Sequence, residues 1–417
     1  MMIQNIIIDR SSGKEGDSFV GLKIIGGVVH VIIPQQYHFP VDSIDPSGID
    51  PWRDELVGFL DSLSLSKSSE DTDNDMSLMG GEYSKLVFNS YVWLIKDYLT
   101  NGFPFRYEQV SSISNIGRVL WKRTIDHCQP VISDGSIVYL HTFRNHNKVA
   151  DDILSEAYRY CLNQSIRVAG WLYGLDSFPD DAWDFTLAKK EEYYYEIRNR
   201  LDSTFEEVRK LRLHHMLNII KAFDVGISDK AVEYGVDSYE YVFQSLVSSI
   251  LGNVDDISMY YPRAHYQLPS GRHRSSSLKP DTVMVDGDSL FIIDSKFYRY
   301  GLTNDPSDLP SSDSVQKQLT YAEFAKLNMS AGINHIYNAF LIPADLSSQQ
   351  EPDGPKLLSW AGYAQSDWKP NDEDYHTVQL ILIDLRGLMH SWMRRNDIDY
   401  VGCVGKIIKN RALTVQP

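Results

Sequence analysis

The sequence predicts a mixed fold of the α/β (α+β) kind. A helix-flanked mixed sheet occupies the carboxy-terminal half, a helical region precedes it, and the amino-terminal region is rich in β-structure. Three observations predict this. Residues 280–296 read as two short apolar strands joined by an Asp-Gly turn. Apolar residues at helical spacing stand on both sides of that pair. Residues 1 to about 60 alternate in short apolar runs. At 417 residues, 43% of them hydrophobic, the chain is long enough for two or three domains with buried cores.

Taken in order, Val20–Ile25 and Val28–Ile33 flank Gly26-Gly27 and read as a hairpin. Ser62 to Gly81 is rich in Ser, Asp and Gly, which predicts a flexible loop or linker able to order on a partner. Tyr83 to Leu99 is helical, while Gly117 to Thr124 and Ser136 to Phe143 read as strands, so residues 1–149 form a mixed, β-rich domain for partner docking or DNA contact. Residues 150–225 carry long helical stripes, among them Tyr193, Ile197 and Leu201, then Val208, Leu211, Leu217 and Ile220. The tyrosines at 193–195 fit a core stripe better than a base-stacking platform. His214-His215 diverge by about 100° on a helix and do not make a ligand pair.

Residues 226–417 form the third domain. Its first helix, Tyr239 to Leu251, has Val242, Phe243, Leu246, Val247, Ile250 and Leu251 on one stripe, with Asp237 or Ser238 as cap. The 280–296 hairpin follows. Ser314 to Leu327 is a helix behind the Pro306 and Pro310 loop, Ile336–Pro343 and Thr377–Asp384 are buried strands, and Leu385 to Arg394 is a helix.

The chemistry sits on the hairpin. Side chains two apart on a strand share a face, so Asp294 and Lys296 point the same way and Ser295 leaves its carbonyl available. Asp281 opens the first strand, and the turn returns the chain beside it. Two carboxylates near one point suit Mg²⁺, which prefers oxygen ligands and keeps several waters, and Mn²⁺ can substitute for it. Such an ion neutralises charge on a phosphodiester and acidifies a bound water, while the Lys296 ammonium orients that water or holds a phosphate oxygen. The competing reading is a solvated edge pair that blunts aggregation. Glu240, in the first turn of its helix, is a candidate third acid; otherwise it complements the helix dipole. Gln318 and Tyr321, three apart on one helix face, could hold DNA backbone or a metal-bound water; the competing reading is the polar flank of a packed helix.

The order Glu240, Pro280-Asp281, Asp294-Ser295-Lys296 resembles the PD-(D/E)xK nuclease superfamily. The segments LKPDTVMVDGDSLFIIDSKFYRYG, DLPSSDSVQKQLTYAEF and GRVLWKRTI resemble the LlaJI family of restriction endonucleases, which is similar to the nuclease subunit of McrBC-type systems. The resemblance implies Asp281, Asp294 and Lys296 as catalytic with Glu240 in support, double-stranded DNA as substrate in anti-phage defence, a separate AAA+ (McrB-like) NTPase, and companion methyltransferases in the same system. The residues agree on one point. No G-x-x-x-x-G-K-[ST] occurs, and Gly13-Lys14 lacks the leading glycine, so no nucleotide site is expected in this chain. The alternatives are a non-catalytic assembly subunit that stimulates a motor, and an RNA-directed or exonucleolytic enzyme on the same fold.

Three separated cysteines, Cys128, Cys161 and Cys403, form neither a finger nor a disulfide framework, and no secretory leader or membrane span is evident, so a cytoplasmic location is expected. The net charge of −16 is unfavourable for polyanion binding, but local clusters decide contact. These are Arg118, Lys122 and Arg123; Arg144, His146 and Lys148; Lys406, Lys409 and Arg411; and Arg263, Arg272, His273 and Arg274, which lie just before Asp281 and are the expected grip on DNA. The alternative for that last group is a solvated loop.

Overall fold

A computed structural model of the chain describes residues 3–12, 18–66, 81–104, 107–115, 117–133, 136–149, 153–175, 189–222, 232–329, 331–351, 354–370, 372–394 and 398–415. Most of the expected linker, and the Gly13-Lys14 pair, lie outside them. Backbone contacts divide the chain into one unit of residues 3–78 with 231–417 and another of residues 79–230. The sequence-based boundaries fell instead at 149/150 and 225/226. The difference has a physical cause in the pairing of Val232–Val236 with a strand of the first sheet, which joins the two ends of the chain in one unit.

The discontinuous unit holds two five-stranded sheets, both mixed, so the protein is of the mixed α+β class. In the first, β1 (Asn5–Arg10), β2 (Val20–Ile25), β3 (Val28–Ile33), β4 (Ser43–Ile44) and β5 (Val232–Val236) run in the order β5-β2-β3-β1-β4. The β2–β3 hairpin forms as the sequence predicts, with φ of +58° at Gly26 and +88° at Gly27, values that two-residue hairpin turns demand and glycine supplies. Gly21 faces Gly235 across β2 and β5, where a Cβ on Gly21 would lie 2.2 Å from the Tyr234 carbonyl. A helix, α1 (Arg53–Ser62), follows this sheet.

The second sheet is built from β8 (Thr282–Asp286), β9 (Ser289–Ser295), β10 (His335–Ala344), β11 (Leu358–Gln365) and β12 (Thr377–Asp384), in the order β8-β9-β10-β12-β11. Between β5 and β8 come α2 (Tyr239–Leu251) and a two-stranded ribbon, β6 (Arg263–Leu268) with β7 (Gly271–Ser277). Helix α3 (Ser312–Leu327) lies between β9 and β10, and α4 (Leu385–Arg394) and α5 (Tyr400–Val415) follow β12. Strands β9 and β10 are parallel, as are β10 and β12, and all three are almost wholly buried. That is why they read as continuous apolar runs rather than alternating ones. The β8–β9 turn has Gly287 and Asp288 at its centre, one residue beyond the Asp-Gly pair expected, with φ +64° at Gly287.

In the unit of residues 79–230, the expected long helices are Gly81–Asn101, Ile153–Ala169, Lys190–Ser203 and Glu207–Ala222. Arg212 of the last meets the buried Asp97 of the first through two hydrogen bonds of 2.7 and 3.0 Å. A three-stranded sheet orders Tyr107–Ile113, Phe143–Val149 and Arg118–Val119. The GRVLWKRTI segment departs from its predicted strand, since only Arg118–Val119 is extended and Trp121–His127 is a helix. Trp121 and Ile125 stand four apart, the helical period, and the Thr124 hydroxyl accepts the Phe143 N–H at 2.9 Å.

Candidate active site

The candidate site lies where the β8–β9 hairpin meets α2. Pro280-Asp281 stands just ahead of β8, and Asp294 and Lys296 stand at the end of β9. The hairpin brings the acids together because Thr282 pairs with Ile293, placing the start of one strand beside the end of the other. The backbone N–H of Ser295 donates to Asp281 Oδ2 at 2.8 Å, and Lys296 Nζ lies 2.5 Å from Asp294 Oδ2. Asp294 is 7% exposed.

The ladder ends here because a backbone donor is missing. Lys296 N–H still donates to the Leu341 carbonyl, but the next donor along β10 would be that of Pro343, which has none. Tyr298 N–H takes the Lys296 carbonyl instead at 2.8 Å, and the chain turns away directly after the site. Phe297 then packs against Tyr239 and Phe243 of α2, with ring centroids 5.5 and 5.8 Å away.

That packing fixes which residue of α2 reaches the acids. Gln244 donates through Nε2 to Asp281 Oδ1 at 2.6 Å. Glu240, one turn earlier, is exposed and lines a separate pocket with Gln36, Asp237 and Arg299, and it has no hydrogen bond or ion pair to either acid among the described residues. The expected supporting acid is thus displaced by an amide four residues on. No signal in the sequence marks Gln244, because the rotation of α2 is set by Phe297, which belongs to another element.

Burial, the neighbouring Asp294 carboxylate and a hydrogen bond to it push Asp281 up to about 8, against the pull of the Ser295 N–H and the Lys296 ammonium. Raised in this way, Asp281 holds its proton more tightly beside the Asp294 carboxylate. The donor set is all oxygen, with one ammonium beside it, and so fits a hard divalent ion that brings its own waters. Of the described residues, Asp281 and Asp294 are the side chains that would hold such an ion, with the Ser295 carbonyl as the expected backbone ligand.

Gln318 and Tyr321 are in a different position from that expected of DNA contacts. Gln318 is fully buried, its Nε2 donating to the Ile292 carbonyl at 2.6 Å and the Ala339 carbonyl at 3.3 Å. Tyr321 is 5% exposed and its hydroxyl donates to the Lys279 carbonyl at 3.2 Å. Both are held by carbonyls of the protein rather than presented on an open surface. Arg263, Arg272 and Arg274 are exposed on the β6–β7 ribbon.

Residues 52–351 match the model of the LlaJI restriction endonuclease family. The chain belongs to the LlaJI restriction endonuclease family. LlaJI membership makes it a restriction-type nuclease. Among solved structures, the Thermococcus gammatolerans McrB AAA+ hexamers with bound McrC match at 14% identity and a TM-score of 0.36, over 90% of this chain and 81% of that one. The McrBC complex of the same organism matches at 12% identity and a TM-score of 0.24, over 58% of this chain and 69% of that one. No curated protein matches. No helix among the described residues is long and apolar enough to cross a membrane.

Proposed function

We propose that this LlaJI-family chain is a metal-dependent endonuclease that hydrolyses duplex DNA in an NTP-driven restriction system. The observation that carries the reading is the convergence of Asp281 and Asp294, with Lys296 beside Asp294. Mg²⁺, when bound by the two carboxylates, supplies Lewis acidity to the phosphodiester and lowers the pKa of its water. Asp281 is steadied by Gln244 and the Ser295 N–H, so its carboxylate is oriented before substrate arrives. Lys296 offers a movable positive charge that orients the attacking water or holds a phosphate oxygen. Gln244 takes the supporting place expected of Glu240.

The motor is a second chain. The sequence has no phosphate-binding P-loop, and family membership places the chain among restriction endonucleases, so an AAA+ NTPase of the McrB kind is the proposed partner and a methyltransferase the proposed companion in a cytoplasmic defence system.

The test is plasmid cleavage with Mg²⁺, partner and nucleotide, comparing wild type with Asp294→Ala, Lys296→Ala and Gln244→Ala. Loss of cutting is expected for the first two. Gln244→Ala should need about 10-fold more Mg²⁺, the usual effect of removing a group that orients a metal ligand. Cutting undiminished by Asp294→Ala and Lys296→Ala refutes the assignment. NTPase stimulation that survives Asp294→Ala, with no cleavage by wild type under any metal, would make the chain an assembly subunit.

A further inference from the structure

We propose that the β6–β7 ribbon is a duplex-gripping arm that enters the major groove of DNA beside the phosphate to be cut. This rests on the nuclease reading above. Residues 263–279 contain Arg263, Arg272, Arg274 and Lys279, with His265 and His273, and not one Asp or Glu, in a chain whose net charge is −16. Every residue of β6 is exposed, and β6 and β7 pair only with each other among the described strands. None of the described ion pairs uses Arg263, Arg272 or Arg274. An acid-free cationic ribbon on an acidic protein has a local field opposite to that of the whole, and polyanion contact depends on that local field.

Register gathers the charges. His265 faces Arg274 and Gln267 faces Arg272, so these four side chains share one face of the ribbon. The register shift between Arg263 and His265 sets Arg263 opposite Ser277, and because the extra residue lies in β7, Arg263 stays on the face of His265 and Gln267. Tyr266, Leu268 and His273 occupy the other face. The expected basic cluster is therefore one donor-rich surface.

Size selects the groove. A strand of six or seven residues is about 20 Å long, and two strands about 4.8 Å apart with their side chains fit the major groove, about 12 Å wide, but not the minor groove at about 6 Å. Position selects the target. Only three residues separate Ser277 from Asp281, four Cα steps or at most about 14 Å of chain, and Tyr321 pins the intervening Lys279 carbonyl. The arm therefore meets DNA within one helical turn of the site, about 34 Å. Duplex RNA, whose major groove is deep and narrow, should not accept it.

Fluorescence anisotropy on the full chain at low salt in EDTA tests this, using a DNA duplex of about three helical turns and an RNA duplex of the same sequence. The variant is R272A/R274A. Both arginines are exposed, so their removal leaves packing intact, and thermal melts check that. R272A/R274A should bind at least about 10-fold more weakly, with the slope of log affinity against log salt shallower by about 2, near 0.9 for each phosphate left without its arginine. Unchanged affinity and slope in R272A/R274A, no DNA binding by wild type, or equal dependence of RNA binding on these arginines each overturns the arm. A wild type that binds DNA through these arginines yet cuts nothing under any metal would sink the hydrolytic reading and leave the arm standing.

Discussion

Asp281 accepts a hydrogen bond on each carboxylate oxygen, from Gln244 and from the Ser295 N–H. Such bonds favour the ionised form, yet its acidity moves the other way. Burial and the adjacent Asp294 outweigh them, and the acid is pushed up to about 8 from an ordinary value near 4. Its sign for stability follows. A carboxyl whose folded pKa lies above the unfolded one contributes stability that is complete below pH ~4 and is lost as pH rises through ~8. In EDTA the chain should therefore melt at a lower temperature at about pH 9 than at about pH 6, and Asp281→Asn should flatten the difference, because the site no longer has to lose a proton. Mg²⁺ should restore wild-type melting at the higher pH, since a cation takes over from the shared proton. Differential scanning fluorimetry decides it. A pH response identical in Asp281→Asn and wild type would show that the titration belongs elsewhere.

Strand β9 is held on both edges, by β8 and β10, and across its face by α3. Gln318 spans the carbonyls of Ile292 on β9 and Ala339 on β10 with a single amide, so it clamps the strand that carries Asp294. The open edge of β8 is closed in the same fashion by Asn253, which both donates to and accepts from Val285 at 2.8 Å. Gln318→Ala should destabilise the unit by about 2 kcal/mol in urea melts, the cost of leaving buried polar groups without their donor, and leave the salt slope of DNA binding unchanged. A shallower salt slope with full stability would restore its reading as a DNA contact. These elements were legible to unequal degrees. Tyr239–Leu251 and Leu385–Arg394 have the predicted bounds because their apolar residues keep one period over several turns. The β8–β9 hairpin was readable from its turn, and Asp294 and Lys296 from strand alternation. Gln244 was hidden because rotation of α2 is set by Phe297, from another element. The ribbon was hidden because its hydrophilic strands bury no face, and period-2 reading needs a buried face to leave a trace.

At the scale of the discontinuous unit, the amino-terminal segment is joined to the end of the chain by charge as well as by sheet pairing. Arg386 of α4 donates to both oxygens of Glu55 on α1 at 2.7 Å, and the buried Tyr37 hydroxyl donates to the same carboxylate at 2.7 Å. The partners are 331 residues apart, and no pattern in the sequence links them. Burial alone would raise Glu55, but the hydrogen bonds from Arg386, His390 and Tyr37, with the charge of Arg386, outweigh it and hold the carboxyl at about 2. A depressed acid stabilises the fold above its unfolded pKa, near 4.3, and that contribution is lost as pH falls through ~2. Glu55→Ala should cost about 3 kcal/mol at neutral pH, because it strands a half-buried guanidinium. Urea midpoints at about pH 5 and about pH 3 separate the ion pair from simple packing: wild type should lose stability over that interval, and Glu55→Gln, which keeps the shape but not the charge, should lose less of it. Equal acid sensitivity in the two proteins would mean that Glu55 packs α1 against α4 without an electrostatic share. Cleavage by Glu55→Gln at a temperature where it remains folded should match wild type, since the pair holds the amino-terminal segment in place and touches neither Asp281 nor Asp294.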